Sequence, residues 1–264
     1  MRLLLVLALA GGALAGEGAR GLAEGELPGL KARDPALVYA FYAPRAYDPA
    51  TPAPLVVALH GGRGSATQLA RFLAPFAEAT GAVLACPQGF EEIVGADGYW
   101  WRGTTDEMLA LDRFVELAKK RYGIDPKRVT VLGLADGGEL AVRYACSRDR
   151  GLAGVVLVNI LWDYRGPYRA PKTLKVAVLA SRDAEEKLAK LKDHAEQAAA
   201  ALAKAGHPAV LRLHPGSSRS FFHGWEEDLT RAHEWFFGRR DWAREIADAE
   251  AGPPPPPPRE DPPG

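Results

Sequence analysis

The feature that most constrains this chain is a regular alternation of short apolar runs with longer amphipathic stretches. The apolar runs have the length of buried strands and lie at residues 55–59, 82–86, 128–132, 155–158, 174–179 and 210–213. The stretches with helical periodicity lie at residues 68–79, 106–122, 137–146, 184–205 and 226–237. An earlier run, residues 36–42, predicts an antiparallel edge strand. The alternation predicts a single α/β domain with a mostly parallel central sheet and helices on both faces.

The two ends of the chain differ in composition from this body. Residues 1–15 combine a cationic start, a short apolar run and an Ala-Leu-Ala sequence, which is typical of a signal peptide. The run is shorter than the roughly 20 residues of a membrane-spanning helix. We therefore expect export to the periplasm, the cell surface or the medium, without stable membrane insertion. Residues 249–264 are rich in proline and predict a disordered tail, which leaves residues 22–248 for the globular domain.

Composition excludes several classes of function. Lys plus Arg and Asp plus Glu both number 33, so the chain lacks the basic surplus of a nucleic-acid-binding protein. The six histidines form no H-E-x-x-H motif, and the two cysteines are too few for a thiolate zinc site. We therefore expect no metal and no cofactor. Cys86 and Cys146 are predicted to be inert buried thiols, although an oxidising compartment would also allow a disulfide. The oligomeric state is left open.

The residues after each predicted strand are the candidates for chemistry, because ligands bind at the carboxyl ends of the strands in open parallel sheets. The sequence HGGRGS begins at His60, directly after the first parallel strand. The sequence GLADGG begins at Gly133 and has the pattern of a tight strand-to-helix turn. Asp183 and His223 follow the last two strands. The order is therefore a glycine-rich loop, a tight turn, an acid and a histidine.

This order carries a family resemblance. The stretches PLVVALHGGRGSA and YGIDPKRVTVLGLADGGELAVRYA, with the Asp183 and His223 segments, resemble the α/β-hydrolase superfamily. Within it they are similar to the secreted polyhydroxybutyrate-depolymerase and feruloyl-esterase-like group, over nearly all of residues 36–238. The resemblance implies a serine nucleophile on the turn, activated by histidine and an acid, with two backbone N–H groups holding an oxyanion. By resemblance, Asp183 is the acid, His223 the base, and the N–H groups of Gly62 and Asp136 the oxyanion donors.

The chain departs from this pattern at the nucleophile position, which holds Ala135. A methyl group cannot form an acyl-enzyme. The sequence therefore predicts an esterase-like protein that is inactive or weakly active and has a binding or scaffold role. The ligand class implied by the resemblance is a small-molecule or polymeric ester, either of hydroxyalkanoates or of plant-wall phenolic acids.

Three other interpretations stay open at this stage. A native serine at position 135 could have been replaced by design. A water molecule activated by His223 could attack the ester directly. Asp136 could act as the nucleophile toward a carbon–halogen or epoxide bond, as in related dehalogenases and epoxide hydrolases, although Leu134 would then crowd the turn.

Further side chains near these loops have more than one reading. Ser65 is predicted to cap a helix that begins near Ala66, because serine is a favoured N-cap. Trp100 and Trp101 lie in the long loop between residues 86 and 106, where they could stack on a ligand or anchor the loop to the core. His60 is expected to order its loop.

Overall fold

A computed structural model describes residues 19–29, 36–93, 98–182, 190–215 and 224–251. The predicted signal peptide and the proline run fall outside these residues. So do Asp183 and His223, the two predicted partners of the nucleophile position.

Eight strands in the described residues form one sheet. The long strands are β1 Gly21–Leu27, β2 Leu37–Ala43, β3 Ala53–Leu59, β4 Val83–Pro87, β7 Ile124–Leu134, β8 Gly154–Val158, β9 Lys175–Ser181 and β10 Ala209–His214. Two short strands, β5 Glu91–Glu92 and β6 Tyr99–Trp100, form a separate antiparallel pair. The sheet order is β1-β2-β4-β3-β7-β8-β9-β10. The pairs from β4 to β10 are parallel, whereas β2 pairs antiparallel with both of its neighbours.

Helices cover both faces of the sheet. They are α1 Ala66–Thr80, α2 Thr105–Tyr122, α3 Asp136–Cys146, α4 Leu191–Lys204, α5 Trp225–Phe236 and α6 Trp242–Ala251. One core cluster holds the buried side chains of α2, α3 and α4, and the other holds those of α1, α5 and α6. Successive residues of β3 alternate between them, with Val57 in the first and Val56 in the second. Strands β3, β4 and β8 are buried on both faces and are apolar throughout, whereas the charged residues of β7, β9 and β10 lie at half-buried or exposed positions. The predicted α/β architecture is confirmed.

The helix boundaries follow from their capping residues. The Ser65 hydroxyl accepts a hydrogen bond from the N–H of Gln68 at 3.2 Å and caps α1, as predicted. Thr104 and Glu107 form a reciprocal capping box at the start of α2. Gly123, with φ of 53°, ends α2 in the left-handed conformation that glycine adopts without strain.

The structure corrects the position of one predicted strand and adds elements that the sequence did not predict. The run at residues 36–42 is the inner strand β2, and the edge strand is β1, which was not anticipated. The helix predicted at 184–205 is represented by α4, Leu191–Lys204, and its predicted start at residues 184–189 lies outside the described residues. A further helix, α6, follows the helix predicted at 226–237 and extends to Ala251, whereas the domain boundary at residue 248 stays a prediction.

The two cysteines lie on opposite faces of the sheet. Cys86 on β4 belongs to one core cluster and Cys146 at the end of α3 to the other, and both are free and buried. Burial raises the pKa of both thiols, that of Cys146 to about 12. They are therefore inert core residues. Separately, no helix in the described ranges has the length and apolar composition required to cross a membrane.

Candidate active site

The turn between β7 and α3 has a strained backbone at Ala135. Its φ of 47° and ψ of −118° lie in a region that residues with side chains rarely adopt. Such strain costs about 1–3 kcal/mol and persists only where the surroundings enforce it. The Ala135 N–H donates to the carbonyl of Val158 at 3.0 Å, and its own carbonyl accepts from the N–H of Gly138 at 2.9 Å. The turn predicted from GLADGG is thus a tight strand-to-helix elbow that presents a methyl group.

The neighbouring glycines make this elbow possible because the adjacent chains approach too closely for a side chain. A Cβ on Gly133 would lie 2.6 Å from the Cα of Gly138. A Cβ on Gly137 would collide with the carbonyl oxygen of His60 and lie 2.6 Å from that of Leu59. The glycines therefore allow α3 to begin directly against the end of β3.

The loop after β3 is held by hydrogen bonds around His60. The His60 Nε2 accepts from the N–H of Gly89 at 2.9 Å, so its Nδ1, 2.9 Å from the carbonyl of Gly61, carries the proton. Gln88 joins the network because its Nε2 donates to His60 Nε2 at 3.2 Å, while its Oε1 accepts from the N–H of Ala66 at 2.9 Å. Burial lowers the pKa of His60 to about 4, which keeps the ring neutral at pH 7. His60 therefore orders the loop, as expected.

The two predicted aromatic ligands differ in exposure. Trp101 is 4% exposed, its indole N–H donates to the His60 carbonyl at 3.0 Å, and its main-chain N–H donates to Asp136 Oδ2 at 3.2 Å. Trp100 is 44% exposed and lines a separate surface depression with Phe90. Trp101 thus anchors the long loop against the elbow, and a ligand-binding role for Trp100 stays a prediction.

A pocket of about 740 Å³ opens beside the elbow. Its lining residues are His60, Gly61, Gly62, Arg63, Gly64, Ser65, Gln68, Leu69, Phe72, Leu134 and Ala135. One wall is the main chain of the glycine-rich loop. The other wall is apolar, with Phe72 stacked on Trp225 at a ring-centroid distance of 4.5 Å. Main-chain N–H groups beside apolar side chains suit a ligand with a carbonyl group and a hydrocarbon part, and the lining also includes the cationic residue Arg63.

The carboxyl group of Asp136 lies behind the pocket wall. It accepts from the main-chain N–H of Trp101 at 3.2 Å. Partial burial raises the pKa of Asp136, and hydrogen bonds from the N–H groups of Trp101 and Gly62 oppose that rise. Asp136 is the first residue of α3, and the strained elbow conformation falls on Ala135. Asp136 therefore does not occupy the nucleophile position.

The predicted triad partners Asp183 and His223 cannot be placed, because they lie outside the described residues. The strands that precede them, β9 and β10, end at Ser181 and His214. Both run parallel to β7, so they end at the same edge of the sheet as the elbow. The roles of Asp183 and His223, and the oxyanion role of Gly62 and Asp136, stay predictions.

Three features that shape the candidate site were not predicted from the sequence. One is Gln88, whose only signal is a polar residue directly after an apolar strand. The second is the direction of the Asp136 carboxyl group, for which there is no local signal. The third is a contact between His214 Nε2 and Asp228 Oδ2, which lie 2.5 Å apart and join the end of β10 to α5. This contact positions α5, which begins at Trp225 beside the pocket.

The sheet order, the two layers of helices and the strand-elbow-helix turn define the α/β-hydrolase fold. No family model matches the chain, and no curated protein matches it by sequence.

Solved structures with the same fold include esterases. A Bacillus cereus carboxylesterase is 19% identical, with a TM-score of 0.59 over 77% of this chain and 95% of that chain. A ferulic acid esterase is 14% identical, with a TM-score of 0.64 over 83% of this chain and 98% of that chain. An esterase from the hyperthermophilic archaeon Pyrobaculum calidifontis is 18% identical, with a TM-score of 0.62 over 84% and 87%. At these identities the likeness establishes an esterase-like fold.

Proposed function

We propose that this chain is an exported protein that binds an ester in the pocket beside Ala135 and does not form an acyl-enzyme. The observation that carries the proposal is the elbow itself. Ala135 has φ of 47° and ψ of −118°, lines a pocket of about 740 Å³, and presents only a methyl group there.

The missing step follows from the chemistry of acyl transfer. A serine at this position would lose its hydroxyl proton to an imidazole while its oxygen bonds to the ester carbonyl carbon. The methyl group of Ala135 has neither a lone pair nor an acidic proton. His223 and Asp183 are proposed as the imidazole and its acid, so their chemistry has no nucleophile to act on.

The proposed ligand is an ester of a hydroxyalkanoate or of a plant-wall phenolic acid, as a small molecule or within a polymer. The apolar wall at Phe72 and Trp225 supports an aliphatic or aryl group, and the backbone wall at Gly61 and Gly62 supports a carbonyl group. A ferulic acid esterase among the similar structures supports the same class.

Turnover of p-nitrophenyl acetate tests this proposal. We expect the protein to release p-nitrophenol little faster than a control protein, and Ala135→Ser to show a burst that reports covalent acylation. Adding His223→Ala to Ala135→Ser should abolish the burst.

Robust turnover by the protein itself would contradict the proposal. If Asp136→Asn abolished that turnover and His223→Ala did not, the result would support Asp136 as the nucleophile. If His223→Ala abolished the turnover, the result would instead support attack by a water molecule that His223 activates.

A further inference from the structure

The lining of the elbow pocket includes an arginine whose side chain is unpaired in the described part of the chain. Arg63 lies in the glycine-rich loop and is exposed, and its guanidinium forms no ion pair or hydrogen bond with a described residue. Among the described residues, the lining contains no aspartate or glutamate, and His60 is neutral at pH 7. The described wall of the pocket is therefore cationic.

The backbone of Arg63 is strained. Its φ of 67° lies in the left-handed region, which glycine adopts without cost. The glycines on either side, Gly62 and Gly64, do not have a positive φ, so the strained position of the loop is the one that carries a long side chain. Such strain persists only where the surroundings enforce it, and it is concentrated at positions that bind ligands or take part in catalysis.

The segment that contains β6 enforces this conformation. The Arg63 N–H donates to the carbonyl of Tyr99 at 3.0 Å, and the Tyr99 N–H donates to the carbonyl of Gly64 at 3.2 Å. A Cβ on Gly98 would lie 2.6 Å from the Cα of Arg63, so the two chains pack backbone against backbone. The main chain of residue 63 is thus fixed, and the arginine side chain starts from a fixed point at the pocket.

A carboxylate is the ligand group that best fits an unpaired guanidinium, because the two form parallel charge-assisted hydrogen bonds. The other charged side chain near the loop is that of Asp136, which does not line the pocket and accepts from the main-chain N–H of Trp101 at 3.2 Å. A ligand can therefore place a carboxylate at Arg63 while its ester carbonyl lies against the backbone of Gly61 and Gly62.

We propose that Arg63 forms a carboxylate-binding subsite of the elbow pocket, so that the pocket selects esters that also carry a free carboxylate. The proposal rests on the proposed function and adds the charge of the ligand to it. A linear hydroxyalkanoate chain ends in a unit that has both an ester bond and a free carboxylate, whereas an alkyl ester of a phenolic acid is neutral. Arg63 is thus a specificity-determining residue that favours the carboxylate end of a hydroxyalkanoate chain.

Binding of a matched ligand pair tests this proposal. The compounds 3-acetoxybutanoate and methyl 3-acetoxybutanoate reproduce that chain end with and without its charge, and calorimetry measures the dissociation constant of each. We expect the protein to bind 3-acetoxybutanoate about tenfold more tightly, a moderate preference because water screens an exposed guanidinium. Arg63→Gln should remove the preference and change the binding of methyl 3-acetoxybutanoate less than about twofold.

Arg71→Gln is the matched control, because it makes the same change in net charge at an exposed residue of α1 that does not line the pocket. We expect it to leave the preference for 3-acetoxybutanoate in place. Arg63→Gly serves as a second variant, since glycine adopts the φ of 67° without strain, and it should also remove the preference. The proposal is overturned if 3-acetoxybutanoate binds equally well with and without the Arg63 guanidinium, or if Arg71→Gln weakens its binding as much as Arg63→Gln does.

The neutral ester and the acylation burst separate this proposal from the one on which it rests. If methyl 3-acetoxybutanoate bound as tightly as the acid, the role of Arg63 would be overturned and the proposed function would stand. If neither compound bound, the carboxylate subsite would also be overturned. A p-nitrophenyl acetate burst in Ala135→Ser would then show that the pocket still accepts esters, whereas the absence of a burst would overturn the proposed function as well.

Discussion

Two turns at the same edge of the sheet lead from a parallel strand into a helix, and they are held by different means. Each contains a residue with a side chain and a positive φ, Arg63 at 67° after β3 and Ala135 at 47° after β7. The first turn depends on the polar network of His60 and Gln88. The second depends on the absence of side chains at its neighbouring glycines. The difference explains how residue 135 can lack a nucleophile while the elbow keeps its shape.

The largest expected effect comes from filling the space at Gly137. Gly137→Ala should lower the free energy of unfolding by about 3 kcal/mol or more, because the new Cβ would collide with the His60 carbonyl. Gly151→Ala is the comparison, since nothing lies within 4 Å of its Cβ position, although its φ of 65° adds a backbone strain that Gly137, inside α3, does not have. It should cost about 1 kcal/mol, from backbone strain alone. Denaturant unfolding measures both, and equal losses would show that close packing does not hold the elbow.

We expect the turn after β3, which depends on His60 and Gln88, to lose stability at low pH. The pKa of His60 is about 4 in the folded protein, below its ordinary value of 6.5. Between these values the unfolded chain binds a proton that the folded protein does not, so stability falls as the pH drops from 6.5 to 4. Over this pH range the titration of His60 lowers the free energy of unfolding by about 3 kcal/mol. His60→Gln should therefore reduce the pH dependence of stability by the same amount.

His233 provides the matched control for that experiment. Burial also lowers its pKa to about 4, but it lies on α5 and does not line the pocket. His233→Gln should flatten the pH dependence to a similar extent and leave the binding of methyl 3-acetoxybutanoate intact, whereas His60→Gln should weaken that binding. Identical effects of the two variants on binding would contradict the role given to His60.

Removing the helix cap at the end of the turn after β3 should cause a smaller loss of stability. Ser65→Ala removes the acceptor for the N–H of Gln68 and should destabilise the protein by about 1 kcal/mol. Thermal unfolding measures the loss. No change in stability would show that the cap contributes nothing to this turn.

The smallest expected effect is a gain in stability. Ala135→Gly relieves the strain of the positive φ but gives the unfolded chain more freedom, so the net stabilisation should be about 0.5–1 kcal/mol. Chemical denaturation of Ala135→Gly beside Arg63→Gly compares the two strained positions. A loss of stability in Ala135→Gly would mean that the methyl group contributes packing that exceeds the strain.

The sequence predicted the features that depend on local pattern. Mainly apolar runs predicted the parallel strands because most of their residues are buried on both faces, and GLADGG predicted the elbow because only glycine fits beside it. Strand β1 was missed because Gly25 and its polar neighbours become a strand only by pairing with β2. The different roles of Trp100 and Trp101, and the direction of the Asp136 carboxyl group, depend on loop contacts between residues distant in sequence.

The central claim is that the elbow pocket does not support covalent acylation because residue 135 is not a nucleophile. Labelling with a fluorophosphonate probe, read by mass spectrometry of the intact protein, tests this most directly, because the probe forms a stable bond only with an activated hydroxyl group. The account predicts no adduct on the protein as it stands, one adduct at residue 135 in Ala135→Ser, and none when His223→Ala is added. An adduct on the unaltered protein, or an Ala135→Ser variant that is folded and stays unlabelled, would contradict it.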